Sequence, residues 1–365
     1  MKKRVIAVLM VLVMMLSAVG CGQAPAATSP TATANAGGNN GTKPEPKARP
    51  LRVAVQSFYC SSPVGLIVER GWDKEAGIPF ELSVFNGGAP INEALAAGLW
   101  DVAVTGGAFI FALANYDAKL VASQIDGRGG NYIFARKDSP LFSVKGHNPN
   151  NPDVYGSPET AKGITILQNT GTTSQYTAQT WLDTIGVSEE DVNIVHMDFA
   201  PMYQAFAAGQ ADCASLAPPH SYVDYKAQGW EMVASLENLN GNLYEATVCT
   251  KQAYESRRED IVKFVELLYR ANDELIADET LKFNTVKKWY ADNGKSLTDK
   301  ELQSEIDTKP FIGSEQAKKM DLAEFAVQYG EFYVSADKIE PDKLDKIKAG
   351  VANDVFQDAL KNLSK

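Results

Sequence analysis

A fifteen-residue stretch occurs twice in this chain, without a gap, 111 positions apart. Ala89-Pro90-Ile91-Asn92-Glu93-Ala94-Leu95-Ala96-Ala97-Gly98-Leu99-Trp100-Asp101-Val102-Ala103 aligns on Ala200-Pro201-Met202-Tyr203-Gln204-Ala205-Phe206-Ala207-Ala208-Gly209-Gln210-Ala211-Asp212-Cys213-Ala214, and eight of the fifteen positions are identical. The same offset carries Val53-Ala54-Val55 onto Ile164-Thr165-Ile166, and Leu82-Ser83-Val84 onto Asn193-Ile194-Val195. Each half therefore follows one pattern: strand, loop, helix, strand, helix, strand.

Val53-Ala54-Val55 is a short apolar strand of the buried kind. Pro63 opens the helix that follows, where its missing N–H does no harm. Phe80 to Phe85 returns as a strand, and Asn86-Gly87-Gly88 turns into a second helix that Gly98 closes. Asp101 precedes the third strand, as Asp212 does in the other half, and both read as structural. Strands alternating with helices predict an α/β fold, with two doubly wound parallel-sheet lobes. In such sheets ligands sit beyond the carboxyl ends of the strands. Two lobes facing each other make a cleft. The first lobe is expected over 51–137 plus 245–365, and it includes the strand Tyr132 to Ala135. The second is expected over 160–239. The Pro-, Asn- and Gly-rich stretch 138–159 and the segment 240–244 are read as the hinge. Ile261, Phe264, Val265, Leu268, Ala271 and Leu275 share one face of a helix expected to pack on the first lobe.

The N-terminus reads as targeting sequence. Lys2, Lys3 and Arg4 precede an apolar run from Val5 to Leu16, too short to span a bilayer but suited to export. Ser17-Ala18-Val19-Gly20-Cys21 resembles the lipobox of bacterial lipoproteins, which implies lipidation of Cys21 after removal of the signal 1–21. Residues 22–50 lack bulky apolar side chains and read as a disordered tether. The net charge of −10, with no basic cluster past the signal, argues against nucleic-acid binding. Cys60, Cys213 and Cys249 fit no zinc spacing and read as small buried hydrophobes, with a disulfide between two of them as the alternative. No metal or other cofactor is expected.

The segments RVAVQS…SPVGLIVERGW, ALAAGLWDVAVTGG, AKGITILQNTGTTSQ and AFAAGQADCASLAPP together resemble the nitrate/sulfonate/taurine-type substrate-binding proteins of ABC transporters. That family also includes thiamine-pyrimidine binders, and the resemblance covers residues 51 to 270. It implies the class II periplasmic-binding-protein fold. It also implies a monomer that delivers solute to a permease and an ATPase from the extracytoplasmic face of the cell membrane.

Candidate ligand-binding residues lie at the strand ends. Asn169-Thr170-Gly171-Thr172-Thr173 opens a helix, and its hydroxyls and free backbone N–H groups make an anion site, a set of caps, or both. The family resemblance favours ligand contact there. In the first half Gln56, Ser57, Phe58, Tyr59 and Ser61 form the matching loop. Phe58 and Tyr59 are read as covering a ligand or as packing on Phe109 or Phe111. Gly87, Gly88, Thr105, Gly106 and Gly107 allow close backbone approach or simply turn the chain. Asp198, Phe199, Pro218 and His220 hold the corresponding places in the second half. Arg128 is read as reaching an anion or as a solvated loop charge.

These features predict a receptor for a small organic anion, a sulfonate or carboxylate with or without an aromatic part. An enzyme on the same fold and a ligand sensor for a membrane receptor are the alternatives. No Ser-His-Asp set, metal cluster or cysteine-rich iron motif supports catalysis.

Overall fold

The computed structural model describes residues 49–364 apart from Gly171 and Pro219. The export signal, Cys21 and the tether up to Ala48 therefore lie outside the described residues. Among the described residues, the strands in chain order are β1 (Leu51–Gln56), β2 (Phe80–Phe85), β3 (Val102–Thr105), β4 (Lys119–Asp126), β5 (Tyr132–Arg136), β6 (Thr165–Gln168), β7 (Asn193–His196), β8 (Cys213–Leu216), β9 (Trp230–Ser235) and β10 (Tyr244–Cys249). They form two five-stranded sheets, ordered β2-β1-β3-β10-β4 and β7-β6-β8-β5-β9.

The duplication is visible strand by strand. β1 pairs in parallel with β2 and β3, and β6 pairs in parallel with β7 and β8. The helices Gly88–Ala96 and Phe199–Ala207 keep the 111-residue offset, as do β3 and β8. Gly98 and Gly209 follow these helices in the left-handed region, at φ of 67° and 83°, which favours glycine. The first strands do not keep that offset. Val53 faces Val102 and Ile166 faces Cys213, so Val53 matches Ile166, a shift of 113. The second half is two residues shorter between its first and third strands, so the Val53-to-Ile164 alignment is two residues out.

Both sheets are mixed, not wholly parallel. β10 runs antiparallel to β3 and β4, and β5 antiparallel to β8 and β9. The reason is the path of the chain. β5 is the first strand after the chain leaves the first sheet, and β10 is the first after it returns. Tyr132–Arg136 therefore belongs to the second sheet, contrary to the expectation from sequence.

The crossings are accordingly 127–131 and 236–243. They lie side by side: Gly127 N donates to Leu243 O and Leu236 N to Asn131 O, each at 2.9 Å. Asn131 Nδ2 donates to the carbonyls of Gly127, Arg128 and Gly129 and shapes the first crossing. Gly129 has no room for a side chain, because a Cβ would stand 1.5 Å from Thr308 O. The stretch 138–159, expected as hinge, instead packs on the second half. Tyr155 N donates to Val233 O at 3.0 Å, and Trp181 Nε1 donates to Tyr155 O at 2.9 Å.

The cores follow the layers. In the first half one apolar cluster joins the sheet to the C-terminal helices, including Arg258–Ala277. Ile261, Phe264, Val265, Leu268, Ala271 and Leu275 are all buried there, as their helical spacing predicts. The second sheet carries a cluster on each face. One is built around Trp181, Leu182 and Ile185, the other around Phe134, Phe206 and Trp230. Each fully buried large side chain contributes roughly 1.5–3 kcal/mol of transfer free energy. Cys60, Cys213 and Cys249 are buried free thiols within these cores, and burial pushes each of them above the usual thiol range.

The two structural aspartates differ. Asp101 accepts the N–H of Arg52 at 3.1 Å, and Asp212 accepts that of Thr165 at 2.7 Å, the same bond in both halves. Asp101 is also the meeting point of Arg49, Arg52 and Arg257, at 2.8, 2.7 and 3.3 Å. Asp212 is exposed.

Candidate functional site

Two adjoining cavities lie where the halves face each other, at the carboxyl ends of the central strands. The first, of about 380 Å³, is lined from the first half by Gln56, Phe58, Tyr59, Tyr290 and Glu305, and from the second by Pro218 and Tyr222. The second, of about 490 Å³, is lined by Gly88, Gly107, Tyr329 and Tyr333 on one side and by Thr172, Thr173, Phe199 and Pro218 on the other. Pro218, Glu245 and Lys309 border both.

The first-half loop divides its labour. Gln56 Oε1 accepts from Gly106 N at 3.3 Å and from Cys60 Sγ at 3.2 Å, so Gln56 ties the end of β1 to the turn after β3. Ser57 donates to Asn86 Oδ1 at 2.9 Å, and Ser61 is buried beneath the loop. Tyr59 stacks on Phe311 with ring centres 4.8 Å apart, and its hydroxyl, among the buried atoms, has no partner. Phe58 is 39% exposed and carries the Lys295 ammonium 4.2 Å from its ring centre. Neither aromatic packs on Phe109 or Phe111; the C-terminal region supplies their neighbours instead.

The turns beyond β3 and β2 are tightly packed. A Cβ on Gly107 would stand 2.2 Å from the Tyr329 hydroxyl, and one on Gly88 2.2 Å from Ala108 Cβ. Gly87 borders neither cavity and Gly106 only supports Gln56, whereas the buried Thr105 hydroxyl has no partner. Tyr329 and Tyr333, on the helix Leu322–Ser335, fill the space next to these glycines.

In the second half only part of the expected set faces the cleft. Thr172 caps the helix Thr173–Ile185 by accepting from Ser174 N, and Thr172 and Thr173 border the second cavity. Asn169 is structural: its Nδ2 donates to Met197 O at 2.8 Å and, more loosely, to Asp198 Oδ1 at 3.4 Å. Thr170 is exposed and bonds His196 Nδ1 at 2.6 Å, away from both cavities. Gly171 lies outside the described residues. Phe199 and Pro218 line the cleft, but His220 stacks between Phe199 and Tyr203, at 6.2 Å from each, and borders neither cavity. Arg128 is engaged by Asp126 through two bonds of 2.9 and 2.6 Å.

The floor shared by the cavities is charged. Lys309 Nζ lies 3.4 Å from Glu245 Oε1 and 3.7 Å from Glu305 Oε1, and Tyr290 donates to Glu305 Oε2 at 2.6 Å. Lys309 and Glu245 are only 15% and 14% exposed. Burial pushes the Glu245 carboxyl up, Glu305 adds to this, and Lys309 opposes it. Burial alone would lower the Lys309 ammonium, but the two carboxylates outweigh it and hold it above the ordinary lysine range. Sequence reasoning missed this group because Glu305 and Lys309, neighbours at the end of one helix, meet Glu245 of a strand 64 residues before Lys309 only in the fold. A charged residue inside the apolar run Tyr244–Cys249 was the one available signal.

Among the described residues, contacts join the halves across the cleft. The Tyr222 and Thr308 hydroxyls meet at 2.9 Å, and Tyr176 packs on Phe332 with ring centres 4.6 Å apart. Among the described residues no group of His, Cys, Asp and Glu is arranged to hold a metal. No helix among them is long and apolar enough to cross a membrane.

Two mixed α/β sheets facing across such a cleft define the periplasmic-binding-protein fold. The chain belongs to the NMT1-like family, whose model matches residues 44–284. A putative ABC transporter periplasmic binding protein of Brachyspira hyodysenteriae is 35% identical over 88% of this chain and 93% of its own length. Among solved structures, a putative periplasmic sulfonate-binding protein of Methylobacillus flagellatus has a TM-score of 0.66 at 16% identity, covering 87% of this chain and 96% of that one. The periplasmic aliphatic sulphonate binding protein of Escherichia coli has a TM-score of 0.63 at 17% identity, covering 82% and 92%. The latter two likenesses concern the fold.

Proposed function

We propose that this chain is an extracytoplasmic solute receptor that closes its two halves on one small molecule and delivers it to an ABC importer. The observation that carries the proposal is the pair of adjoining cavities walled by both halves, with Pro218 of one half and Glu245 of the other bordering both. Cavities of this size suit a small molecule and sit where ligands of open α/β sheets bind. The paired crossings 127–131 and 236–243 provide a two-stranded hinge.

The relative in Brachyspira hyodysenteriae bears the name of a transporter binding protein, which agrees with a receptor rather than a catalyst. On this reading the receptor is a monomer, and Cys21 carries the lipid that holds it at the membrane. A permease with its ATPase is its partner. The small organic anion expected from the helix N-termini is one cargo this reading admits.

The test is small-angle scattering with a thermal-shift screen on the purified chain. A cargo should raise the melting temperature by the mass-action factor RT ln(1 + [L]/Kd) and contract the particle together. A compound that stabilises the protein without contracting it argues against closure.

A further inference from the structure

The unpartnered buried atoms of the cleft include two acceptors that no N–H or O–H of the protein serves. Glu245 Oε2 and Asn131 Oδ1 are buried without a hydrogen-bond partner. Asn131 is 2% exposed, and its orientation is settled by its amide nitrogen, which donates to three carbonyls at 3.1 to 3.3 Å. Its oxygen is therefore what the residue leaves over. Asn131 borders the second cavity and Glu245 borders both. Buried acceptors are normally paired, so two orphans on one cavity wall point to a donor that arrives from outside.

The charges agree. Glu245 and Glu305 share the single ammonium of Lys309, which leaves the group with one formal negative charge in excess. The Tyr290 hydroxyl serves Glu305 but brings no charge. Arg128 is held by Asp126, and Lys295 lines the first cavity over the Phe58 ring. A sulfonate, carboxylate or nitrate placed against Glu245 would add a second negative charge to that group, with Lys295, over Phe58, as the other cation lining the first cavity.

We infer that the cleft takes a compact organic cation, whose protonated nitrogen donates to Glu245 Oε2 with Asn131 Oδ1 as a further acceptor, and whose apolar body lies among Tyr59, Tyr222 and Pro218. This rests on the receptor reading and departs from the anion expected on sequence grounds. The anion expectation weighed the helix N-termini and had no view of the Glu245, Glu305 and Lys309 group. In the folded chain Thr172 caps its own helix and Tyr329 occupies the space beside Gly107.

The experiment is a calorimetric and thermal-shift panel on the full chain. Benzamidine, phenethylamine and agmatine form the cationic arm; benzenesulfonate, benzoate, taurine and nitrate form the anionic arm. At least one cation should raise the melting temperature and contract the particle in scattering. Its affinity should fall tenfold or more in Glu245→Gln, and should weaken as the pH drops from 7.5 to 5. Glu245 faces Glu305, Lys309, Cys60, Tyr59 and Tyr290, and burial holds its carboxyl above the usual 4.5, so it takes up its proton as the pH falls toward that value. The pH series on the unaltered protein stands even where the variant does not fold. Binding and contraction with an anion alone overturns the cation inference and leaves the receptor standing. A cation whose affinity ignores both Glu245→Gln and pH overturns it as well. No response in either arm counts against the inference, and no contraction with any compound removes the receptor reading with it.

Discussion

Ser61 and Ser174 make the same two bonds in the two halves of the chain. Each hydroxyl accepts the backbone N–H of the residue five places earlier, Gln56 at 2.9 Å and Asn169 at 3.0 Å. Each then donates to the central strand, Ser61 to Val104 O at 3.4 Å and Ser174 to Ser215 O at 2.7 Å. The pair locks the loop after the first strand against the third strand, so both loops present their tips to the cleft. Replacing either serine by alanine strands a buried N–H and should cost about 1–3 kcal/mol of stability. Ser174→Ala should cost more, since its bond to Ser215 is the shorter. Chemical denaturation of the two variants checks this.

Asp101 and Asp212 separate a shared bond from a local network. Asp101→Asn removes the charge on which Arg49, Arg52 and Arg257 converge and should lose about 2–4 kcal/mol. Asp212→Asn should lose less than about 1 kcal/mol, because the exposed carboxylate serves only Thr165 N among its described partners. Equal losses would show that the arginine convergence contributes nothing.

Two carboxyls give the stability opposite pH slopes. Burial pushes Asp101 up, but the bonds from Arg52 and Arg49 outweigh it and hold the carboxyl below its usual 3.8. Its contribution is present in full above that value and is lost as the pH falls through the lower folded value. Glu245 is held above its usual 4.5, chiefly by burial, so the folded state binds that proton more readily than the unfolded state. Its contribution therefore grows as the pH falls from its folded value toward 4.5. The ligand-free melting temperature should accordingly rise from neutral pH toward about pH 5 relative to Glu245→Gln, then fall below about pH 4 with Asp101. Melting curves of the parent and the variant across this range test the sign.

The Tyr222 to Thr308 bond spans the cleft, so it belongs to the closed arrangement. Tyr222→Phe should leave each half intact while weakening cargo affinity by about 0.5–1.5 kcal/mol, a factor of roughly 2 to 10. Scattering of the variant should show a larger particle at equal cargo concentration. An unchanged affinity and shape would mean the contact carries no part of closure.

The duplication was legible because a helix ending in a left-handed glycine and a strand opened by aspartate leave a fixed imprint: Gly98 and Asp101, then Gly209 and Asp212. The direction of the fourth strand in each sheet was not. A buried strand has the same apolar run whichever way it points, so Tyr132–Arg136 carries no mark that it crosses to the second sheet. The glycines at 127, 129 and 130 did mark the crossing, and Gly129 is required there by Thr308. Loop position identified Phe58, Tyr59, Thr172, Phe199 and Pro218 near the cleft. Glu245 stood out as a charge inside an apolar run, but its meeting with Glu305, Lys309 and Tyr329 was not legible, because they come together only after the C-terminal helices fold back onto the first sheet.

A crystal structure of the complex with whichever compound contracts the particle tests the central claim most directly. The account predicts one solute enclosed between the halves, touching Glu245 on one side and Pro218 or Thr172 on the other. A solute resting against one half alone, with the opposite wall more than a water's width away, would contradict it.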